Sequence, residues 1–156
     1  MAQAETGTDW LALCAPLVQN FEGCRLNAYP DPATGGAPWT CGWGATGPDV
    51  KKGVTWTQAQ ADARLKADLQ RFGEQVDKLV KVPLSAQQKA ALVSFVYNVG
   101  PANLAGSTLL KLLNMKLYSD AALQFPRWNL AAGKVLTGLV RRRAAEQKMF
   151  LTGKWQ

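Results

Sequence analysis

From Thr57 to Gly100 the chain reads TQAQADARLKADLQRFGEQVDKLVKVPLSAQQKAALVSFVYNVG, and this stretch decides the architecture. Thr57 with Gln60, and Ser85 with Gln88, have the spacing of a capping box, in which each side chain satisfies the other residue's backbone N–H. The first box predicts a helix from Thr57 to about Val80, free of Pro, with Gly73 its one Gly, and closed off by Pro83. At 1.5 Å per residue such a helix is about 35 Å long, enough to bridge two lobes. The second box opens a helix on which Leu92, Phe95, Val96 and Val99 recur at i, i+3, i+4 and i+7, the stripe of a core-facing helix. Gly100 and Pro101 stop it. Further helices are expected to start at Ser107, Ser119 and Thr137, each with an N-cap side chain.

Upstream the texture differs. Residues 25–55 hold Pro30, Pro32, Pro38 and Pro48 with six glycines, and short aromatic or β-branched runs such as Trp39–Trp43 lie between them. Strands there must be short, so this is hairpin and loop territory. The expected class is α+β, mostly α: a small β-hairpin lobe, a long connecting helix and a helical C-terminal lobe. The 156 residues form one domain, long enough to bury a core without staples. Its expected parts are an N-terminal extension (1–12), an N-terminal helix with the β lobe (about 13–56), the connecting helix (57–80) and the helical lobe (81–156). The apolar patch from Trp10 to Val18 has no basic leader, so it reads as mature sequence made in the cytoplasm. Cys14, Cys24 and Cys41 make no CxxC pair and read as small buried hydrophobes, with oxidation of one pair left open outside the cytosol.

The net charge of +7 is uneven. Residues 1–110 hold nine basic and nine acidic side chains, whereas from Lys111 onward nine Lys or Arg face only Asp120 and Glu146. A basic surface favours an anionic polymer: nucleic acid, acidic cell wall or an anionic membrane face. The helix from about Gly138 to Leu151, with Arg141, Arg142, Arg143 and Lys148, reads as a solvated helix face, with contact to anionic membranes as the sharper alternative.

The absence of histidine removes Ser-His-Asp and Cys-His catalysis and the His-ligated zinc sites. Three scattered cysteines make a poor metal site, and no Ser-x-x-Lys occurs. Gly42-Trp43-Gly44-Ala45-Thr46-Gly47 matches G-x-G-x-x-G, but a Pro-rich loop precedes it and Pro48 follows, so the strand-turn-helix context of a dinucleotide site is missing. What remains is carboxylate chemistry, for which two Asp or Glu residues suffice.

Most of the eleven carboxylates have an ordinary reading. Glu5 and Asp9 lie in the chain start or at a cap. Asp62, Asp68, Glu74 and Asp77 decorate the long helix as solvated charge, and Asp49 lies in a loop near Lys51 and Lys52. Asp120 follows Ser119, the expected cap, and complements the helix dipole. Glu146, four residues after Arg142, invites a surface ion pair. Glu22 and Asp31 differ. Glu22 ends an apolar helical run (Leu17, Val18, Phe21) just before Gly23, and Asp31 opens the Pro/Gly loop. A carboxyl among apolar neighbours keeps its proton more readily than one in a polar loop, the division of labour that glycoside hydrolysis requires. An ion-paired structural Glu and a turn-forming Asp are the plain alternative.

The pattern Phe21-Glu22-Gly23, Ala28-Tyr29-Pro30-Asp31 and Thr40-Cys41-Gly42-Trp43-Gly44 resembles the active-site signature of phage endolysins, the phage-type lysozymes of glycoside hydrolase family 24, with eight residues between Glu and Asp. The resemblance continues through Leu92–Gly100, Ser107–Leu110, Phe125–Asn129, Gly133–Leu136 and Gly138–Arg143, covering about residues 13–156 in order. It implies a two-lobed lysozyme-like fold and a muramidase that hydrolyses the β-1,4 bond between N-acetylmuramic acid and N-acetylglucosamine. Glu22 is then the general acid, Asp31 the partner that activates the attacking water, and Thr40 the hydroxyl that positions this water. Such a water implies inversion, with carboxyl groups about 6.5–9.5 Å apart. Arg142 matches an arginine close to the family's catalytic Glu, with the Glu146 pair as its rival reading. Tyr97, Asn98, Gln124 and Gly44 match positions lining the saccharide cleft, with core packing a rival for Tyr97.

Three features depart from the family pattern. The loop Pro32–Trp39 is longer than the commoner one, Ala45 stands where a histidine is frequent so that any ion pair it made is missing, and Cys24 and Cys41 flank the catalytic positions. The resemblance calls for no metal and no cofactor, and implies a monomer acting on peptidoglycan in the periplasm. It would reach the wall from the host cytoplasm through a pore made by another protein, a holin. A degenerate cell-wall-binding homologue and a basic nucleic-acid binder are the rival classes, and the retained Glu22, Asp31 and Thr40 argue against the first.

Overall fold

A computed structural model describes residues 9–156 and divides the chain into two compact units, residues 18–68 and residues 9–17 with 69–156. Glu5 lies outside the described residues. The elements in chain order are α1 (Asp9–Glu22), β1 (Arg25–Tyr29), β2 (Thr40–Gly42), α2 (Gln58–Leu79), α3 (Ala86–Val99), α4 (Pro101–Ala105), α5 (Thr108–Asn114), α6 (Tyr118–Ala122), a 3₁₀ turn (Phe125–Arg127), β3 (Leu130–Ala131), β4 (Lys134–Val135) and α7 (Thr137–Thr152). The α+β, mostly helical class is therefore what forms. None of the helices among the described residues is long and apolar enough to cross a membrane.

Both capping boxes are made. Thr57 N–H donates to Gln60 Oε1 at 2.8 Å while Gln60 N–H donates to Thr57 Oγ1, and Ser85 and Gln88 repeat the exchange. Helix α2 then runs 22 residues, about 33 Å. Gly73 inside it has a packing reason: a Cβ there would stand 2.7 Å from the Trp10 ring. Trp10 is itself buried, and α1 begins at Asp9, so the helix starts four residues ahead of the boundary expected at residue 13.

The helical unit is organised around α3. Every residue from Lys89 to Val96 is buried, so α3 is a central helix enclosed on all faces rather than one with a single core-facing stripe. Phe95 meets Phe125 and Trp128 edge-on at 5.6 and 5.4 Å between ring centroids. Helix α7 packs along α3 and buries Arg142, Arg143, Ala145, Glu146, Met149 and Phe150. This corrects the reading of the C-terminal helix as a solvated basic face, because two of its four cations are inside. Ser107 caps α5 as expected, its Oγ accepting from Leu110 N–H. Ser119 does not cap α6, which starts one residue earlier at Tyr118, and α7 is preceded by Leu136 with no side-chain cap. Gly100 and Pro101 both end α3 and start α4, with Pro101 in the first turn, where a missing N–H costs nothing.

In the smaller unit β1 and β2 pair antiparallel, with Arg25 opposite Gly42 and Tyr29 opposite Thr40, and a register irregularity between them. Asn27 bridges to Thr55, and Trp56 N–H donates to Leu26 O, so residues 54–56 back the other side of β1.

Candidate active site

Glu22 is the last residue of α1, and Gly23 behind it takes the left-handed conformation (φ 67) that ends the helix, its N–H still bonded to Gln19 O. Nine residues on, Asp31 organises the loop that follows β1. Its Oδ1 accepts from Ala33 N–H at 2.7 Å, its carbonyl accepts from Thr34 and Gly35, and its own N–H donates to Gly36 O. Asp31 is thus a turn-former, as the plain alternative held, through one of its two carboxyl oxygens. Thr40 opens β2 opposite Tyr29, two residues before Asp31 in the chain.

The tight turn after β2 brings Gly44 against Glu22. Cys41 and Ala45 exchange both backbone hydrogen bonds (3.0 and 2.9 Å), leaving Gly42, Trp43 and Gly44 as the loop. Gly44 (φ 88) cannot carry a side chain for two reasons. L residues avoid that backbone region, and a Cβ there would stand 2.5 Å from Glu22 Oε1. The glycine is needed so that the backbone can approach the Glu22 carboxyl. Gly42 (φ 65) has its own neighbour, since a Cβ there would lie 3.0 Å from the Trp56 ring. No helix follows Gly47, so the G-x-G-x-x-G match has no dinucleotide context.

Arg64 of α2 ties the loop that follows Ala45 to the helix. Its guanidinium bonds Thr46 O at 2.7 Å and Asp49 Oδ2 at 2.6 Å on the loop, and Asp68 at 3.0 Å on its own helix, while lying 5.5 Å over the Trp56 ring. Arg64 holds the Asp49 carboxyl below the usual carboxylate range. Cys41 is buried with its thiol donating to Leu26 O at 3.4 Å, and burial pushes that thiol up. The three cysteines are free thiols.

In the helical unit Arg142 meets Glu146 at 3.2 Å, inside the core rather than on the surface. Glu146 also takes Arg143 Nε at 2.8 Å and accepts from Ser94 Oγ at 2.6 Å. Burial works to raise this carboxyl, while Arg143, Arg142 and Ser94 work against it. Two guanidiniums that never lose their charge make the carboxylate the form that balances the cluster. Cys14 lies beside it, its thiol pushed up by burial. Tyr97 packs edge-on against Phe72 at 5.7 Å, and Asn98 next to it is exposed. Gln124 lines a groove of about 430 Å³ with Thr108, Arg127, Trp128 and Leu130. No periodicity marks the last three as groove residues, since Arg127 and Trp128 end a 3₁₀ turn and Leu130 begins a strand of two residues. Among the described residues no group of three His, Cys, Asp or Glu could hold a metal ion.

The mostly helical fold with its small two-stranded hairpin is lysozyme-like. Similarity to known proteins shows the family. The phage lysozyme family model matches residues 19–146, and the chain belongs to that family. It is 44% identical over 137 residues to an endolysin of Bacillus phage B103, spanning 88% of this chain and 52% of that protein, about half the relative's length. Among solved structures it is similar to an endolysin from Escherichia coli O157:H7 phage FAHEc1, with 32% identity and a TM-score of 0.80, covering 97% of this chain and 96% of that one. The muramidase domain of SpmX from Asticaccaulis excentricus gives 36% identity and a TM-score of 0.79 over 88% of this chain and 93% of that one.

Proposed function

We propose that this chain is a peptidoglycan muramidase of the lytic phage type, cleaving the β-1,4 bond between N-acetylmuramic acid and N-acetylglucosamine. The observation that carries this reading is the packing of the Gly44 backbone on the Glu22 carboxyl, within one unit that also carries Asp31 and Thr40. In a chain without histidine, these are the groups that can move a proton at a glycosidic oxygen.

Glu22 protonates the leaving oxygen. Asp31, with Oδ1 engaged in its own turn, offers Oδ2 to a water that Thr40 Oγ1 helps to hold, and this water attacks the anomeric carbon from the opposite face. The configuration then inverts. Gly44, Tyr97, Asn98 and Gln124 are the proposed saccharide contacts. Arg142 is a proposed supporting residue, held by its bond to Glu146. The biological role is host lysis, with the substrate in the periplasm and passage to it through a holin pore.

The test is digestion of purified cell wall by wild type and Glu22→Gln, reading new reducing ends, the sugar that carries them and their first anomer. Wild type is expected to release N-acetylmuramic acid ends born in the α configuration. Glu22→Gln is expected to release at least about a thousandfold fewer. Equal release by both proteins overturns Glu22 as the acid. Wall binding without release by either makes the non-catalytic homologue the better account.

A further inference from the structure

The turn that packs on Glu22 is itself held from outside. Trp43 stands at its apex between two glycines at positive φ, a loop with little conformational preference of its own. The Trp43 indole Nε1–H donates to Asp62 Oδ1 at 2.8 Å, and the same oxygen accepts from Gln58 Nε2 at 2.9 Å. Gln58 and Asp62 are one turn apart at the start of α2, the helix whose N-terminus is closed by the Thr57–Gln60 box. The acceptor is therefore mounted on a rigid element, while the group it grips belongs to a soft one. On the far side of the turn Gly44 meets the Glu22 carboxyl. A solvated helix charge, the ordinary reading of Asp62, does not gather two donors onto one oxygen from two different elements.

We infer that Asp62 is a positioning residue for the reaction: by gripping Trp43 through its indole N–H, it fixes the Gly44 backbone against the Glu22 carboxyl. The inference rests on Glu22 being the acid. Trp43 first and Gln58 second hold the Asp62 carboxyl below its ordinary range. A carboxyl lowered in the folded state contributes above its unfolded value and loses that contribution as pH falls through the folded one. The charge-assisted grip is thus at full strength at neutral pH and weakens, without losing its acceptor oxygen, as the carboxyl protonates in acid.

The test compares wild type, Asp62→Ala, Asp62→Asn and Trp43→Phe, with Glu22→Gln as reference, on soluble peptidoglycan fragments. It reads kcat, KM, thermal melting and the Trp43 indole N–H resonance against pH. Asp62→Ala and Trp43→Phe are each expected to lose on the order of tenfold in kcat with KM nearly unchanged, and the double variant no more than either alone. Asp62→Asn keeps an oxygen that accepts from the indole and is expected to recover most of the rate. The wild-type indole resonance is expected to titrate below the ordinary carboxylate range, and that titration to vanish in Asp62→Asn. Wild-type kcat in Asp62→Ala beside an inactive Glu22→Gln overturns the grip and leaves Glu22 as the acid. Full activity in Glu22→Gln overturns the catalytic reading itself. A loss that Asp62→Asn does not recover overturns positioning through the indole bond. If Asp62→Ala does not fold, Trp43→Phe and the indole titration decide.

Discussion

Arg142, Arg143 and Glu146 on α7 are 3%, 0% and 0% exposed and bond one another and Ser94 inside the helical unit. In the hairpin unit most comparable polar groups lie at or near the surface, with Asp49 62% exposed in its side chain, Arg64 21% exposed and Asp62 in water, although Asp68 is buried. The two arrangements serve different ends. A buried cluster of permanent charges tolerates no loss of a member, since desolvated charge left unbalanced is costly. Surface bonds contribute little to stability, but where they fix a glycine-rich turn they decide where its backbone stands. Lost members of the helical cluster should therefore show in folding, and lost members of the hairpin set in turnover.

The largest stability effect is expected at Glu146. Glu146→Gln keeps the shape and removes the charge that balances two buried guanidiniums, and should cost about 3–5 kcal/mol. Calorimetry should then find the melting temperature lower by on the order of 10 °C. A melting temperature equal to wild type would mean that the cluster is not an ionic hub.

The comparison is sharpened by Gly44→Ala, which places a methyl group where Glu22 Oε1 stands and forces an L residue to φ 88. The strain should cost about 1–2 kcal/mol of stability. Turnover per folded molecule should fall on the order of a hundredfold, because Glu22 has to move. A fall in stability with turnover intact would separate the turn from the chemistry.

Arg64→Leu gives the smallest effect, about 1 kcal/mol at most for a partly exposed network. Denaturation by urea should register it together with a modest loss of rate. A loss as large as that of Glu146→Gln would break the contrast between the two units.

These contrasts explain what was readable in the sequence. The capping boxes at Thr57 and Ser85 are local, and they appeared where the spacing placed them. Glu22, Asp31 and Thr40 fell in one unit, as their adjacency in the chain suggested. The Arg142–Glu146 pair was legible from its i, i+4 spacing, yet spacing says nothing of burial, and α7 hides two of the four cations that made it look like a basic surface. Asp62 passed as an ordinary helix charge because its partner is 19 residues away on another element. The i, i+4 relation of Gln58 to Asp62, and of Arg64 to Asp68, was the one local signal that these side chains form networks. Ser119 does not cap because a hydroxyl caps only from just outside the first turn, and α6 starts at Tyr118, two residues too early for that. The β3–β4 hairpin, with two-residue strands, carries no periodicity to find.

The central claim, that chemistry resides in the hairpin unit and rests on Glu22, is tested most directly by measuring melting temperature and hydrolysis together on Glu22→Gln. The account predicts a melting temperature at or above that of wild type with hydrolysis abolished. Hydrolysis retained at the wild-type rate, or lost only in proportion to unfolded protein, would contradict it.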